Sequence, residues 1–331
     1  MIITRTPFRM SFAGGGSDIS SYYEKFGGAV VSTTMNKYMF LSMHPSFFKD
    51  GFLLKYSKTE NTNEVDKIEH PLIREVFRKY KIKGVDFNSS SDIPAGTGLG
   101  SSSAFTCGLI QLCNTYTESS YMTKEEIAAE ACHVEIDILK DPIGKQDQYA
   151  SACGGLNYIE FQPNGEVTVE RLFLPYEGLK RLEGNLMLFY TGLSRSAGTI
   201  LSEQKKNISD GKKIENVHRM VELAKTLKKE LLGNNIDAMG EILHRGWMYK
   251  KELTNSISSD NIDSYYNLAK KNGAEGGKLL GAGGGGFLLF YVKEENHNRL
   301  RRAMEELKEL PFRFDTMGTT TIYYSRQAVS E

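Results

Sequence analysis

The sequence predicts a two-domain chain of mixed strands and helices, and three observations predict it. Its 331 residues suit about two domains. Apolar runs of strand period and apolar stripes of helix period follow one another along the whole length. Its 32 glycines gather in three clusters at joints between such segments. Hydrophobic residues at 40% and charged residues at 25% are ordinary for a soluble globular chain. Lys+Arg and Asp+Glu both number 41, and zero net charge argues against a dominant nucleic-acid surface. No stretch approaches the roughly 18 apolar residues of a membrane span. The opening MIITRTPFRM lacks the apolar run of a signal peptide. Cys107, Cys113, Cys132 and Cys153 form no CxxC pair. A cytoplasmic protein with reduced thiols is the expectation.

In chain order, Ile3, Arg5, Phe8, Met10 and Phe12 read as a strand running into a glycine turn at 13–18. Residues 29–34 and 37–44 read as two strands with a turn at Asn36. Residues 49–69 are polar and suit loops or edge strands. Pro71 fits the first turn of a helix over 70–80. The run VDFNSSSDIPAGTGLGSSSAFTCGLIQLCNTYT reads as strand, glycine loop and helix, with Ala104, Phe105, Gly108, Leu109 and Leu112 on one buried face. Thr123 and Glu126 make a capping-box pattern opening a second helix. Its apolar stripe is Ala128, Ala131, Cys132, Ile138 and Leu139. Glu135 falls inside that stripe and Asp137 outside it, and Pro142 ends the helix.

Beyond Gly155, LNYIEF and EVTVERL read as a strand pair across 163–165. LMLFY is a strand leading through TGLSRSAGTILSEQKK, a loop and then a helix. Residues 209–271 read as mostly helical. KLLGAGGGGFLLFYV reads as a glycine turn with a helix before it and a strand after it. A helix over 294–310 and a closing strand, TTTIYYS, complete the chain. A soft boundary near 165–180 gives domains of residues 1–170 and 171–331.

Glycine-rich loops at helix starts bind phosphate, because free N–H groups converge there and the helix dipole favours an anion. Residues 94–103, PAGTGLGSSS, have that form. No lysine follows the last glycine, so this is not a GxxxxGK[ST] loop. A literal GxGxxG at Gly281, Gly283 and Gly286 lacks the strand–turn–helix order of a dinucleotide fingerprint. The bland alternative for 96–103 is a tight turn with a serine-rich cap.

PAGTGLGSSSA resembles the phosphate loop of the GHMP small-molecule kinases. Two further motifs match that family in order, Pro7-Phe8-Arg9 with its glycine turn and KLLGAGGGGF from Lys278. The resemblance spans essentially the whole chain. It implies an α+β fold of two domains: an N-terminal domain resembling ribosomal protein S5 domain 2, and a C-terminal domain with a ferredoxin-like core. It also implies ATP and a substrate in the cleft between them. Pro94, Gly96, Gly98, Leu99, Gly100, Ser101, Ser102 and Ser103 would then hold ATP, and Ser102 with Glu135 would hold Mg2+. The place of Glu135 in an apolar stripe independently suggests a buried charge needing a partner.

By the same resemblance Asp147, in GKQDQYASACGG, corresponds to the galactokinase catalytic base. Arg9 corresponds to an arginine beside the reacting groups, and Asp18 to a sugar-binding aspartate, with Gly15, Gly16 and Ser17 beside it. Plain alternatives are a helix cap for Asp147, a solvated strand arginine for Arg9 and a turn residue for Asp18. Galactokinases carry Gly-Glu-His-Thr-Asp where this chain has Gly-Gly-Gly-Ser-Asp, which puts galactose in doubt. AGGGSD, TGLSRSAGTILSEQ and LHRGWMYKKEL resemble the kinases that phosphorylate C1 of D-glycero-D-manno-heptose 7-phosphate. Arg195, at a loop turning into a helix, is the candidate for the second phosphate, with Lys205 and Lys206 adding positive field. Trp247 reads as core, or else as a wall of the sugar pocket.

The resemblance thus implies an ATP-dependent sugar-1-kinase forming the 1,7-bisphosphate for nucleotide-activated heptose synthesis. Its partners would be a sugar phosphate and ATP, with no nucleic acid or membrane and a homodimer left open. Within the family the alternative is a kinase of fucose or another unphosphorylated sugar. Outside it stands a non-catalytic sugar-binding regulator, against which the joint retention of Ser102, Glu135 and Asp147 argues.

Overall fold

The structure, a computed structural model, describes residues 1–47, 51–193, 197–209 and 213–325. Strands β1 (Ile2–Ala13) and β2 (Gly28–Pro45), with helix α1 (Ser20–Phe26) between them, pair antiparallel from Ile2↔Met43 to Ala13↔Val31. The expected turn at Asn36 does not form, and β2 is one strand of 18 residues. β1 lies beside both of its halves, and the register steps from Pro7↔Tyr38 to Phe8↔Met35. Asn36 and Lys37 are therefore absorbed as a bulge, which kinks a strand without ending it. Asn36 is held there by Arg313, through N–H···O bonds of 2.9 and 2.8 Å.

The polar segment supplies the edge hairpin β3 (Phe52–Lys55) and β4 (Thr59–Thr62). Helix α2 (Pro71–Lys79) starts on its proline, and β5 (Val85–Ser91) lies between β2 and β3. Helix α3 (Ser101–Tyr116) packs on β1 and β2, and α4 (Lys124–Cys132) has the expected capping box. A π-helical turn, His133–Ile138, continues α4 before α5 (Gln146–Cys153). Strands β6 (Asn157–Phe161) and β7 (Val167–Arg171) form the expected pair and join the sheet through β2.

After α6 (Tyr176–Gly184) come β8 (Leu186–Tyr190) and four helices: α7 (Ala197–Ser209), α8 (Ile214–Leu232), α9 (Ala238–Lys251) and α10 (Asp260–Lys271). Then follow β9 (Ala274–Leu279), β10 (Phe287–Val292), α11 (His297–Ala303) and β11 (Lys308–Glu309). The second sheet runs β11-β8-β10-β9, all neighbours antiparallel. That fourth-first-third-second order is the ferredoxin-like arrangement.

Two expectations change here. A strand, not a helix, precedes the glycine turn 281–286, which therefore joins β9 to β10 as a hairpin. Gly276 and Gly277 gave no side-chain pattern to mark β9, because Gly276 packs directly on the α9 backbone at Gly240. The helix expected over 294–310 is the shorter α11, and its tail pairs with β8 instead.

The chain returns to the first sheet with β12 (Phe314–Asp315) beside β2 and β13 (Thr320–Tyr324) beside β1. Apart from these two strands, the first sheet ends in sequence at Arg171 and the second begins at Leu186. Trp247 is fully buried core, all four cysteines are buried and free, and Asp137 faces solvent. Among the described residues no helix is long and apolar enough to cross a membrane.

Candidate active site

A cavity of about 520 Å³ is lined by residues of both halves, among them Arg9, Asp18, Ser102, Asp147, Lys250 and Lys278. That volume suits a small-molecule site, typically roughly 300–1,000 Å³. The loop between β5 and α3 forms one wall. Gly100 is the helix N-cap in a left-handed conformation (φ 75°), and no side chain caps α3. The first-turn N–H groups, from Ser101 to Ser103, have no acceptor within the helix and border the cavity with Gly96, Gly98 and Gly100. Pro94 and Leu99 do not border it. The Pro94 carbonyl accepts from Thr97 Oγ1 at 2.9 Å, and the buried Leu99 ties its carbonyl to the Arg9 N–H at 3.2 Å.

The loop is backed by the second glycine cluster. A Cβ on Gly281 would collide with Gly98 Cα, and one on Gly98 with the Leu280 carbonyl. The two backbones touch at a distance that only glycine allows.

Glu135 is completely buried on the π-helical turn, as its place in an apolar stripe suggested. Ser102 Oγ donates to Oε1 and Gln148 Nε2 donates to Oε2, both at 2.7 Å. Burial pushes the Glu135 carboxyl up to about 7, against the pull of the bonds from Ser102 and Gln148. Ser102 is at once on the cavity wall and on the carboxylate.

Asp147, on the first turn of α5, meets Arg9 from β1. Arg9 Nε donates to Oδ1 at 2.7 Å and Nη2 to Oδ2 at 2.6 Å, while Nη1 donates to the Gly98 carbonyl at 2.6 Å. Arg9 is 4% exposed and the Asp147 side chain 24%. A planar guanidinium can make all three bonds at once. Gln148, the next residue, holds Glu135, so α5 carries both carboxylate contacts.

Asp18 is buried, accepting from Gly16 N at 2.9 Å, Gln146 N at 3.2 Å and Gln146 Nε2 at 3.3 Å. Burial raises its pKa first, and the neighbouring Asp147 raises it further. Gly15 and Gly16 line the cavity beside it. Ser17 does not: its hydroxyl donates to the Gly14 carbonyl at 2.8 Å and accepts from Ala29 N at 3.1 Å, which locks the turn. Arg195 lies outside the described residues, and Lys205 and Lys206 are exposed on α7.

Among the wall residues that escaped the sequence reading, two groups stand out by their chemistry. One is aromatic: His70 stacks on Phe105 (centroids 5.3 Å, 24°), and Tyr56 stands edge-on to His70 (4.9 Å, 87°). Buried Glu60 organises them, accepting from the Tyr56 hydroxyl and from the His70 N–H at 3.2 Å. No pattern in the polar 49–69 segment marks it. The other is Lys250 and Lys278, both nearly fully buried. Lys250 follows Trp247 by one helical turn and so shares its buried face, the reasoning that singled out Glu135.

The family model described as GHMP kinases N terminal domain matches residues 67–155, and that described as GHMP kinases C terminal matches 223–309. A D-glycero-alpha-D-manno-heptose 7-phosphate kinase of Campylobacter jejuni is 30% identical, covering 92% of this chain and 93% of that one. A galactokinase of Thermosipho africanus is 25% identical over 91% and 92%. A crystal structure of a D-glycero-D-manno-heptose 1-phosphate kinase from Bacteroides thetaiotaomicron superposes with a TM-score of 0.80 at 24% identity, covering 98% of this chain and 100% of that one.

Proposed function

Because this chain belongs to the GHMP kinases and is an ATP-dependent sugar kinase, we propose that it phosphorylates the C1 hydroxyl of D-glycero-D-manno-heptose 7-phosphate. The observation that carries this reading is the Arg9–Asp147 pair, set against the phosphate loop with Asp18 on the same cavity. Phosphoryl transfer is mostly positioning and charge stabilisation, and these groups supply both. The N–H groups of 101–103 and the α3 N-terminus suit the phosphates of ATP. The Tyr56, His70 and Phe105 rings suit its base.

Each carboxylate oxygen of Asp147 gives one lone pair to Arg9 and keeps another. Asp147 thus accepts a hydrogen bond from the C1 hydroxyl and receives its proton as the new O–P bond to the γ-phosphorus forms and the bond from that phosphorus to the bridging oxygen breaks, releasing ADP. Arg9 offsets negative charge at the same point, and Asp18 accepts from sugar hydroxyls. Ser102 and Glu135 fit Mg2+: both offer oxygen, which this ion prefers. Glu135 is also a buried carboxylate whose charge burial opposes. When bound, the ion neutralises phosphate charge.

The two heptose relatives are named for different phosphate positions, so the test must read position. Coupled ADP release is measured with Mg-ATP and D-glycero-D-manno-heptose 7-phosphate, mannose 6-phosphate, fucose and galactose. Phosphorus NMR of the product then locates the new phosphate. The expected result is turnover of the heptose phosphate to the 1,7-bisphosphate. Turnover of an unphosphorylated sugar alone would overturn the substrate and leave the mechanism. The corresponding setting is a cytoplasmic enzyme with domains 1–170 and 171–331, feeding activated-heptose synthesis.

A further inference from the structure

The mechanism leaves two buried ammonium groups unused. Lys250 on α9 and Lys278 on β9 are 8% and 5% exposed, and both border the cavity. Lys250 Nζ donates to the Gly281 carbonyl, and Lys278 Nζ to the Phe12 carbonyl at 3.2 Å. An ammonium has three donors, so each keeps two in reserve. Among the described residues neither forms an ion pair with a carboxylate. Three acidic groups among the described residues border the same cavity: Asp147 is engaged by Arg9 and Asp18 by Gly16 and Gln146, while Asp141 forms no ion pair with either lysine. Burial, followed by the charge of Arg9, pushes Lys250 down to about 8, against the pull of Asp147 and Asp18. Burial and the charges of Lys250 and Arg9 push Lys278 far down.

Burial and mutual repulsion oppose charge on these two amines, and an anion bound between them would offset both and hold them as ammonium groups. Its place is defined by the two carbonyls. Gly281 packs on Gly98 of the phosphate loop, and Phe12 ends one residue before the glycine turn that carries Asp18. We propose that Lys250 and Lys278 form a phosphoryl-binding site in the cavity wall between the phosphate loop and the Asp18 turn. The inference rests on the sugar-kinase reading. The phosphoryl group can be the one leaving ATP or one already on the sugar, and the two are separable.

Lys250→Met and Lys278→Met remove the charge and keep an unbranched chain. Each is assayed with the heptose 7-phosphate and with the same heptose lacking phosphate. If the site holds the sugar's phosphate, KM for the sugar phosphate rises at least tenfold and that for the free sugar stays within twofold. If it holds the transferred group, kcat falls at least tenfold with both sugars and ADP affinity is unchanged. Both variants within twofold of wild type on both sugars would overturn the site. Should the variants not fold, the wild type is treated with pyridoxal 5′-phosphate and borohydride, and the modified lysines are mapped by mass spectrometry. Modification of Lys250 or Lys278, blocked by ATP or by sugar phosphate, supports the site, and modification confined to other lysines overturns it. A wild type that turns over no sugar would sink the kinase reading, while the labelling still reads the lysines.

Discussion

Arg9 and Asp147, 138 residues apart in sequence, hold each other through hydrogen bonds of 2.7 and 2.6 Å, and Arg9 spends its remaining reach on the Gly98 carbonyl. The guanidinium therefore fixes one carboxylate against the glycine loop that precedes α3. Neither half of the contact has meaning without the other.

Asp147→Asn replaces an acceptor oxygen by an NH2 group facing an Arg9 N–H. It also removes the group that takes the hydroxyl proton. We expect kcat to fall roughly 10²–10⁴-fold, the usual weight of general base catalysis. ATP affinity measured by calorimetry should stay within about twofold. A variant with near wild-type kcat would leave positioning as the whole catalytic effect.

Glu135 makes a pH prediction for the protein free of metal and nucleotide. Its folded pKa is raised from 4.5 to about 7, so between those values the folded state binds more protons than the unfolded state. Stability contributed at this site is therefore lost as pH rises through that window, by about 3 kcal/mol at most. Glu135→Gln should remove the slope. The variant's Tm relative to wild type should climb from pH 4.5 to 8, although its activity is lost. A difference in Tm that is flat with pH would refute the assignment.

Gly281→Ala places a methyl group against Gly98 at a left-handed position (φ 78°). The strained backbone alone costs about 1–3 kcal/mol, and the loops must also separate. Loss of thermal stability together with a fall in kcat is expected. Full activity in the variant would show that the loop contact is dispensable.

The four thiols should be inert in the folded protein. Burial raises the pKa of Cys107, Cys113 and Cys132 far above 9.0 and that of Cys153 to about 12. The thiolate is the reactive form. Ellman's reagent at pH 8 should label none of them until denaturant is added, and rapid labelling of native protein would contradict this.

Much of the site was legible in the sequence because backbone chemistry leaves strong local marks. The glycines of 96–100 and the serines opening α3 marked the loop that forms one cavity wall, and Glu135 stood out as a charge in an apolar stripe. Other parts left no mark. Asn36 looked like a turn, but β1 runs past it and turns the break into a bulge. Gly276 and Gly277 hid β9, since a strand packed on a helix backbone needs no side chains there. Ser17, grouped with the substrate residues, has its hydroxyl committed to its own turn.

By itself the sequence determined the periodic elements, the caps and the glycine loops, because these depend on residues within a few positions of one another. Only the tertiary structure decided which distant residues meet: Arg9 with Asp147, Gly98 with Gly281, and Lys250 with Lys278 at one cavity. Those contacts join β1, α5, α9 and β9, elements far apart in the chain. Burial then decides their chemistry, since a carboxylate or an ammonium changes its proton affinity once water is replaced by protein.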